Sequence, residues 1–308
     1  MGRDAIGVEQ DWGMGVLDEP FPGSWALRAG LVRRWQLRTE YERIHQDVYL
    51  RKGVALDARG RALAAGYWAK GKAVLSGFSA AAMHGTRWLD SKPAEITLPA
   101  HVRAPRGVRV YRDAIPDDEV CSIDGFRCTT PARTALDLGR HLEFAEAVEV
   151  LDALCQATGL ESAAIEQLID RHPGIRGCRK LRKVLPYIDG GAESIQESRT
   201  RLMLCQAGLP TPETQIRVCD RFGRCLARLD MGWRRWQVAV EYDGEQHWTD
   251  PHQRTKDIDR TATLEALGWT LIRVNSTLLT TDPAKFLTRT RLALHANGAP
   301  IWPSPNGT

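Results

Sequence analysis

The residues of this chain whose types and spacing could do chemistry are Asp230 and, after an intervening turn, Glu241, Asp243, Glu245 and His247. The run from Gln237 to Asp243 alternates with period two. As a strand it puts Val238, Val240 and Tyr242 on one face and Ala239, Glu241 and Asp243 on the other. Arg224 to Met231 also reads as a strand. If Trp233 to Gln237 forms the turn, antiparallel pairing sets Asp230 opposite Glu241, and directly paired Cβ atoms lie roughly 4.5–5.5 Å apart. Three carboxylates, Asp230, Glu241 and Asp243, would then converge, and an uncompensated buried carboxylate costs several kcal/mol. Oxygen-only donors select a hard cation, Mg²⁺ or Mn²⁺, over zinc. An ion held that way polarises a phosphoryl oxygen and acidifies bound water, which is the chemistry of phosphodiester hydrolysis. The same spacing also suits an edge strand whose acids merely face water.

The elements around the acids are those such a site needs. Glu193 to Ala207 reads as a helix ending before Gly208-Leu209-Pro210, with Ile195, Leu202 and Met203 as its packed stripe and Glu197, Arg199 and Arg201 among them. Downstream, Asp250-Pro251 is a good cap and first-turn pair, and the helix that follows, Thr255 to Leu267, stops at Gly268. Trp269 to Val274 returns as a strand. The order is helix, hairpin with the acids, helix, strand.

These residues resemble the PD-(D/E)XK nuclease superfamily and, within it, domains related to the very-short-patch-repair endonuclease. The resemblance covers roughly Ala192 to Arg291. It is carried by Glu197-Ser-Arg-Thr-Arg201, Leu229-Asp230, the run Ala239 to His247, Lys256-Asp257, and Gly268-Trp269 leading into Ile272-Arg273-Val274. It implies a mixed sheet flanked by helices, with Asp230 and Glu241 as metal ligands and Glu197 as the helix-borne acid near the metal. One position departs from the pattern. Where the superfamily has a lysine two residues after the glutamate, this chain has Asp243. That lysine offsets charge developing on the phosphate. His247, which can serve as acid or base near neutral pH, and Lys256, which a helix could carry back over the sheet, are the candidates to replace it.

Composition bounds the rest. A chain of 308 residues exceeds one ordinary core, and 43% hydrophobic with 26% charged residues describes a globular protein. It has neither a run of 18 apolar residues nor a basic-then-apolar leader. Seven cysteines without a C-x-x-C pair point to reduced thiols and a cytoplasmic location, not to disulfides or zinc. The net charge of +4 is mild, but Gly23 to Lys52 holds seven basic residues against three acids. A second basic run, Arg171 to Lys183, reads more readily as a solvated helix face than as a phosphate-binding surface.

Ser24 to Leu37 has apolar pieces broken by Gly30, which suits a helix, a turn and a second helix; Tyr41 to Leu50 alternates as a short hairpin. This segment resembles the N-terminal winged-helix domain of AbiEi-type antitoxins. In that geometry Arg33, Arg34 and Arg38 lie on or beside the recognition helix and Arg43 near the wing, all facing DNA. Between residues 53 and 189 the pattern is mixed, with Thr130-Pro131 starting a helix properly. Ser76 to Ala80 and Thr129 to Arg133 again resemble AbiEi-like proteins. His84 reads as a packed histidine.

The expected fold class is therefore α/β: a C-terminal restriction-endonuclease-like mixed sheet flanked by helices, preceded by a small winged-helix-like region and a mixed α/β middle domain. Expected boundaries are a flexible leader over 1–22, then 23–52, 53–189, 192–298, and a tail over 299–308. Two functions follow. One is a Mg²⁺- or Mn²⁺-dependent endonuclease acting on DNA, with catalytic residues Glu197, Asp230, Glu241, Asp243, His247 and Lys256, and with Arg199 and Arg201 gripping phosphates. The other is a non-catalytic DNA-binding regulator, antitoxin-like, with a degenerate nuclease fold and a protein partner such as a toxin.

Overall fold

A computed structural model describes residues 16–244 and 251–301, with side chains described except at residue 16 and over 251–257. The chain divides into two compact units, 1–186 and 187–308.

The first unit begins with β1 (Phe21–Pro22), α1 (Gly23–Arg28), α2 (Arg34–Thr39), β2 (Tyr41–His45) and β3 (Val48–Arg51). The helix, turn, helix and hairpin read from the sequence are all here, with Gly30 supplying the positive φ of 70° that the turn needs. The expected leader ends differently. Phe21 is buried against Tyr41, edge to face at 5.1 Å, and β1 pairs with β3, so residues 21–22 belong to this small core. Most of the remaining leader lies outside the described residues.

The unit continues with α3 (Ala58–Trp68), β4 (Val74–Leu75), α4 (Gly77–Met83), β5 (Ala94–Thr97), β6 (Val108–Tyr111), β7 (Val120–Ile123) and β8 (Phe126–Thr129). Helices α5 (Pro131–His141), α6 (Phe144–Thr158), α7 (Ser162–Arg171) and α8 (Cys178–Val184) complete it. The five strands form a mixed sheet in the order β6-β5-β4-β8-β7. Thr130 caps α5 as expected, its hydroxyl accepting from the Arg133 N–H at 3.4 Å. Arg133 is itself fully buried, donating to Glu119 at 2.7 Å and to Asp137 at 2.9 Å, a pairing that offsets the cost of burying its charge. His84 bonds the Thr129 carbonyl at 2.8 Å, the packed role its sequence context suggested. Half of the basic run at 171–183 is matched by acids from other elements, Arg171 with Asp118, Lys180 with Glu143 and Arg182 with Asp170.

The second unit is α9 (Ile195–Gln206), β9 (Glu213–Cys219), β10 (Cys225–Trp233), β11 (Val238–Tyr242), α10 (Pro251–Ala266), β12 (Thr270–Val274), α11 (Ser276–Thr281) and α12 (Pro283–Ala296). Its sheet is mixed, in the order β12-β11-β10-β9, with only the β11–β12 pair parallel. Met231, Trp233, Val238 and Val240 pack with Leu204 of α9 and with Phe286 and Leu294 of α12. Ala239 packs instead with Leu264 of α10 and with Trp269. Helices thus cover the sheet on both faces, and the chain is α/β with a C-terminal restriction-endonuclease-like mixed sheet. Among the described residues, no helix is long and apolar enough to cross a membrane, and all seven cysteines are free thiols.

The pairing of β10 with β11 fixes the site. Gly232 lies opposite Ala239 and Trp233 opposite Val238, which is the register that places Asp230 opposite Glu241. Strand β10 runs two residues beyond the Met231 end read from the sequence. A single 3₁₀ turn, Arg234–Trp236, and Gln237 with φ of 51° then reverse the chain. Gly232 is required here, because a Cβ would sit 2.4 Å from the Val238 carbonyl oxygen and 2.8 Å from the Ala239 Cα. Gly232→Ala should therefore destabilise the second unit by about 1–3 kcal/mol through overpacking. Urea unfolding followed by tryptophan fluorescence checks this, and an unshifted midpoint would contradict the register.

Candidate active site

Asp230 stands where the β10–β11 ladder gives way. The last paired residues are Met231 and Val240, and beyond them the Tyr242 N–H donates at 2.9 Å to the Asp230 carboxylate and not to a facing backbone carbonyl. One Asp230 oxygen is thereby fixed, and it is the only one that takes a hydrogen bond from a described residue. Burial pushes this carboxyl up from its ordinary 3.8 to about 6, and the nearby charges of Glu197 and Glu241 push the same way; the Tyr242 N–H and Arg260 act against them. Removal from water is thus the first cause of the shift, and the neighbouring carboxylates add to it.

Glu241 is buried on the Ala239 face of β11, under α10. Arg260 of α10 forks onto it: Nη1 donates to Oε2 at 3.1 Å and Nη2 donates to Oε1, while Nη2 also reaches the Arg228 carbonyl of β10 at 2.9 Å. Such bidentate pairs fix the planes of both groups. The helix aims Arg260 this way because Leu264, one turn further on, is fully buried against the sheet, and residues four apart share a helix face. Arg273 lies directly beside Glu241 in the parallel pair and donates to Thr261 at 2.8 Å.

Glu197 is buried at the start of α9, in its third position. Ser194 caps the helix by accepting from the Glu197 N–H at 3.1 Å, and its hydroxyl donates back to Oε1 at 2.8 Å. Oε2 accepts from the Glu193 N–H at 2.8 Å and from Gln215 at 3.4 Å. The expected helix-borne acid is therefore near Asp230 electrostatically but committed to its own cap. Asp243 is half-buried; its N–H donates to the Val274 carbonyl at 2.8 Å, and no described residue bonds its carboxylate.

The two arginines expected to grip phosphates part company. Arg199 is exposed, whereas Arg201 is 1% exposed and donates to the Tyr187 carbonyl at 2.5 Å, so it serves the interior and not a phosphate. His247 lies outside the described residues, as does the Lys256 side chain. Arg33, Arg34, Arg38 and Arg43 of the first unit are all exposed, and none forms an ion pair with a described residue. Trp35, between two of them, is 51% exposed. Arg260 was missed by sequence reasoning. Its signal was the phase of the following helix, since it lies one turn past Lys256 and one turn before the core residue Leu264.

Whether these residues suit a hard dication can be judged from the donors. In kind they do: all are carboxylate oxygens, and Asp230, disfavoured in its ionised form chiefly by burial, has an oxygen to spare. A ready-made cage of three carboxylates is not present, however. Among the described residues no three His, Cys, Asp or Glu side chains are grouped to hold a metal ion, and both oxygens of Glu241 are taken by Arg260.

Comparison with known proteins agrees with this architecture. Residues 212–294 match the restriction-endonuclease-like family model REase_MTES_1575, and residues 72–187 match the AbiEi antitoxin C-terminal domain. Two uncharacterized proteins of Mycobacterium tuberculosis, from strains CDC 1551 / Oshkosh and ATCC 25618 / H37Rv, are each 29% identical over 244 residues, spanning 79% of this chain and 88% of theirs.

Asp230 gives a direct test of the cost of ionising a carboxyl held out of water. Because its folded carboxyl titrates near 6 and its unfolded one near 3.8, the folded state holds the extra proton between those values, and stability falls as pH rises through that window. Asp230→Asn keeps an acceptor for Tyr242 and removes the charge. In EDTA at pH 7.5 it should be more stable than the parent by about 3 kcal/mol, with the gain shrinking toward zero near pH 4. Denaturant titrations across pH measure this, and a destabilised variant at pH 7.5 would refute it.

Proposed function

We propose that this chain binds DNA and that its second unit is a metal-dependent endonuclease, hydrolysing DNA phosphodiester bonds with Mg²⁺ or Mn²⁺ held by Asp230 and Glu241 and with Asp243 completing the donor set. The observation that carries the reading is Asp230: a half-buried carboxylate that its surroundings disfavour in the ionised form, with an oxygen to spare, in register with Glu241 on a restriction-endonuclease-like sheet. When bound, the ion supplies polarisation of a phosphoryl oxygen and a more acidic water. The Tyr242 N–H orients Asp230, and Glu197 adds negative potential from the start of α9. With Asp243 where the superfamily has lysine, cationic work at the phosphate falls to side chains of α10, Arg260 and Lys256, and proton handling to His247. Kinship with very-short-patch-repair endonucleases in particular is supported by the run from Glu241 to His247.

In this reading the exposed Arg33, Arg34, Arg38 and Arg43 contact backbone phosphates from a winged-helix-like region, and Arg199 does so from α9. The protein acts in the cytoplasm, where its free thiols stay reduced.

A second reading is favoured by two observations, the engagement of both Glu241 oxygens by Arg260 and the likeness of residues 72–187 to an antitoxin domain. There the nuclease fold is non-catalytic, and the protein is a DNA-binding regulator with a protein partner such as a toxin. A gel-shift assay in EDTA separates the two, since a regulator binds a specific duplex tightly without metal.

Nicking of supercoiled plasmid in Mg²⁺ is the central test. Asp230→Ala and Glu241→Ala should each lower it on the order of 10²–10³-fold while the protein stays folded; cleavage that persists in both variants would locate the chemistry elsewhere. The double variant Arg34→Ala with Arg38→Ala should weaken duplex binding evenly across sequences and flatten its log–log salt slope by about 2. An unaltered slope would mean these arginines do not meet phosphates.

A further inference from the structure

Arg260 and a dication would neutralise the same carboxylate. The guanidinium spends both of its forked N–H groups on both Glu241 oxygens, so an ion held by Glu241 needs that fork released. Its position makes release feasible. The Arg260 side chain keeps 30% of its surface in solvent while Glu241 keeps 11%, so the arginine has open water to enter and the carboxylate does not. A further contact, to the Arg228 carbonyl, lies on β10 two residues before Asp230, on a residue that is itself exposed. The anchor of α10 is Leu264, which stays buried whichever way Arg260 points.

We propose that Arg260 is a displaceable internal cation: it neutralises Glu241 in the metal-free protein and competes with the hard dication for that carboxylate, setting the metal affinity of the site. This rests on the metal-dependent reading given above. The arginine also offsets the cost of burying Glu241, since an unpaired carboxylate at that depth would be costly. Removing the guanidinium should then have opposite effects on two quantities. The metal-free protein loses a partner for a buried charge and becomes less stable, while the carboxylate becomes available to an ion.

The experiment is Mn²⁺ binding to the full-length chain by isothermal titration calorimetry at pH 7.5, with thermal unfolding in EDTA and in MnCl₂. Arg260→Gln should bind Mn²⁺ at least about tenfold more tightly than the parent. It should also melt earlier in EDTA and recover in MnCl₂, as expected when a ligand binds only the folded state. Arg260→Lys keeps the charge but not the fork, so it should fall between the two; it also serves if Arg260→Gln does not fold. Should the parent bind Mn²⁺ and both variants bind it equally or more weakly, competition is refuted and the metal-dependent reading survives. Should neither the parent nor any folded variant bind Mn²⁺, that reading falls as well.

Discussion

Negative charge crowded at one end of β10 and β11 is the constraint to which the second unit is fitted. Glu197, Asp230 and Glu241 come from three elements, and each is kept in place by a different device. Glu197 is folded into the cap of its own helix. Asp230 takes the N–H that the ladder would otherwise have used. Glu241 is matched by a forked guanidinium from the helix above. Only the last device supplies a full countercharge; at Asp230 burial, reinforced by the neighbouring carboxylates, leaves an excess free energy in the ionised form.

That excess has a cost that packing elsewhere must offset. The strands are anchored on one face by Met231, Trp233, Val238 and Val240 and on the other by Ala239 beneath Leu264, and the near-zero clearance at Gly232 holds them in one register. A one-residue slip would send Glu241 to the apolar face and bring a valine under α10. The apolar pattern therefore fixes where the acids point, and the acids weaken the sheet that positions them.

Much of this was readable in the residues. Period-two alternation in β11 and glycine after each of two helices gave α9, β10, β11, α10 and β12 and the facing of Asp230 with Glu241, but not β9, α11 or α12. The failures have physical causes. Arg199 and Arg201 were taken together as surface cations, yet residues two apart on a helix do not share a face, and Arg201 points inward. Arg260 does not stand out in the sequence because the core contact that sets the phase of α10, Leu264 on Ala239, is tertiary. Strands β4 and β8, of two and four residues, are too short for periodicity to register and owe their pairing to neighbours distant in sequence. Phe21 looked like part of a leader because its partners, Tyr41 and Tyr49, follow it by twenty residues or more.

The first unit holds one further economy. The Lys52 ammonium, just past the end of the hairpin, donates at 2.8 Å to the Thr39 carbonyl and reaches that of Arg38, the last turn of α2, where the helix dipole favours a cation. Helix and hairpin are thereby stapled at their ends into a single rigid lever. In the DNA-binding reading proposed above, arginines carried on its two arms start from a fixed backbone spacing, so part of the entropy of arranging them is spent during folding and not during the encounter.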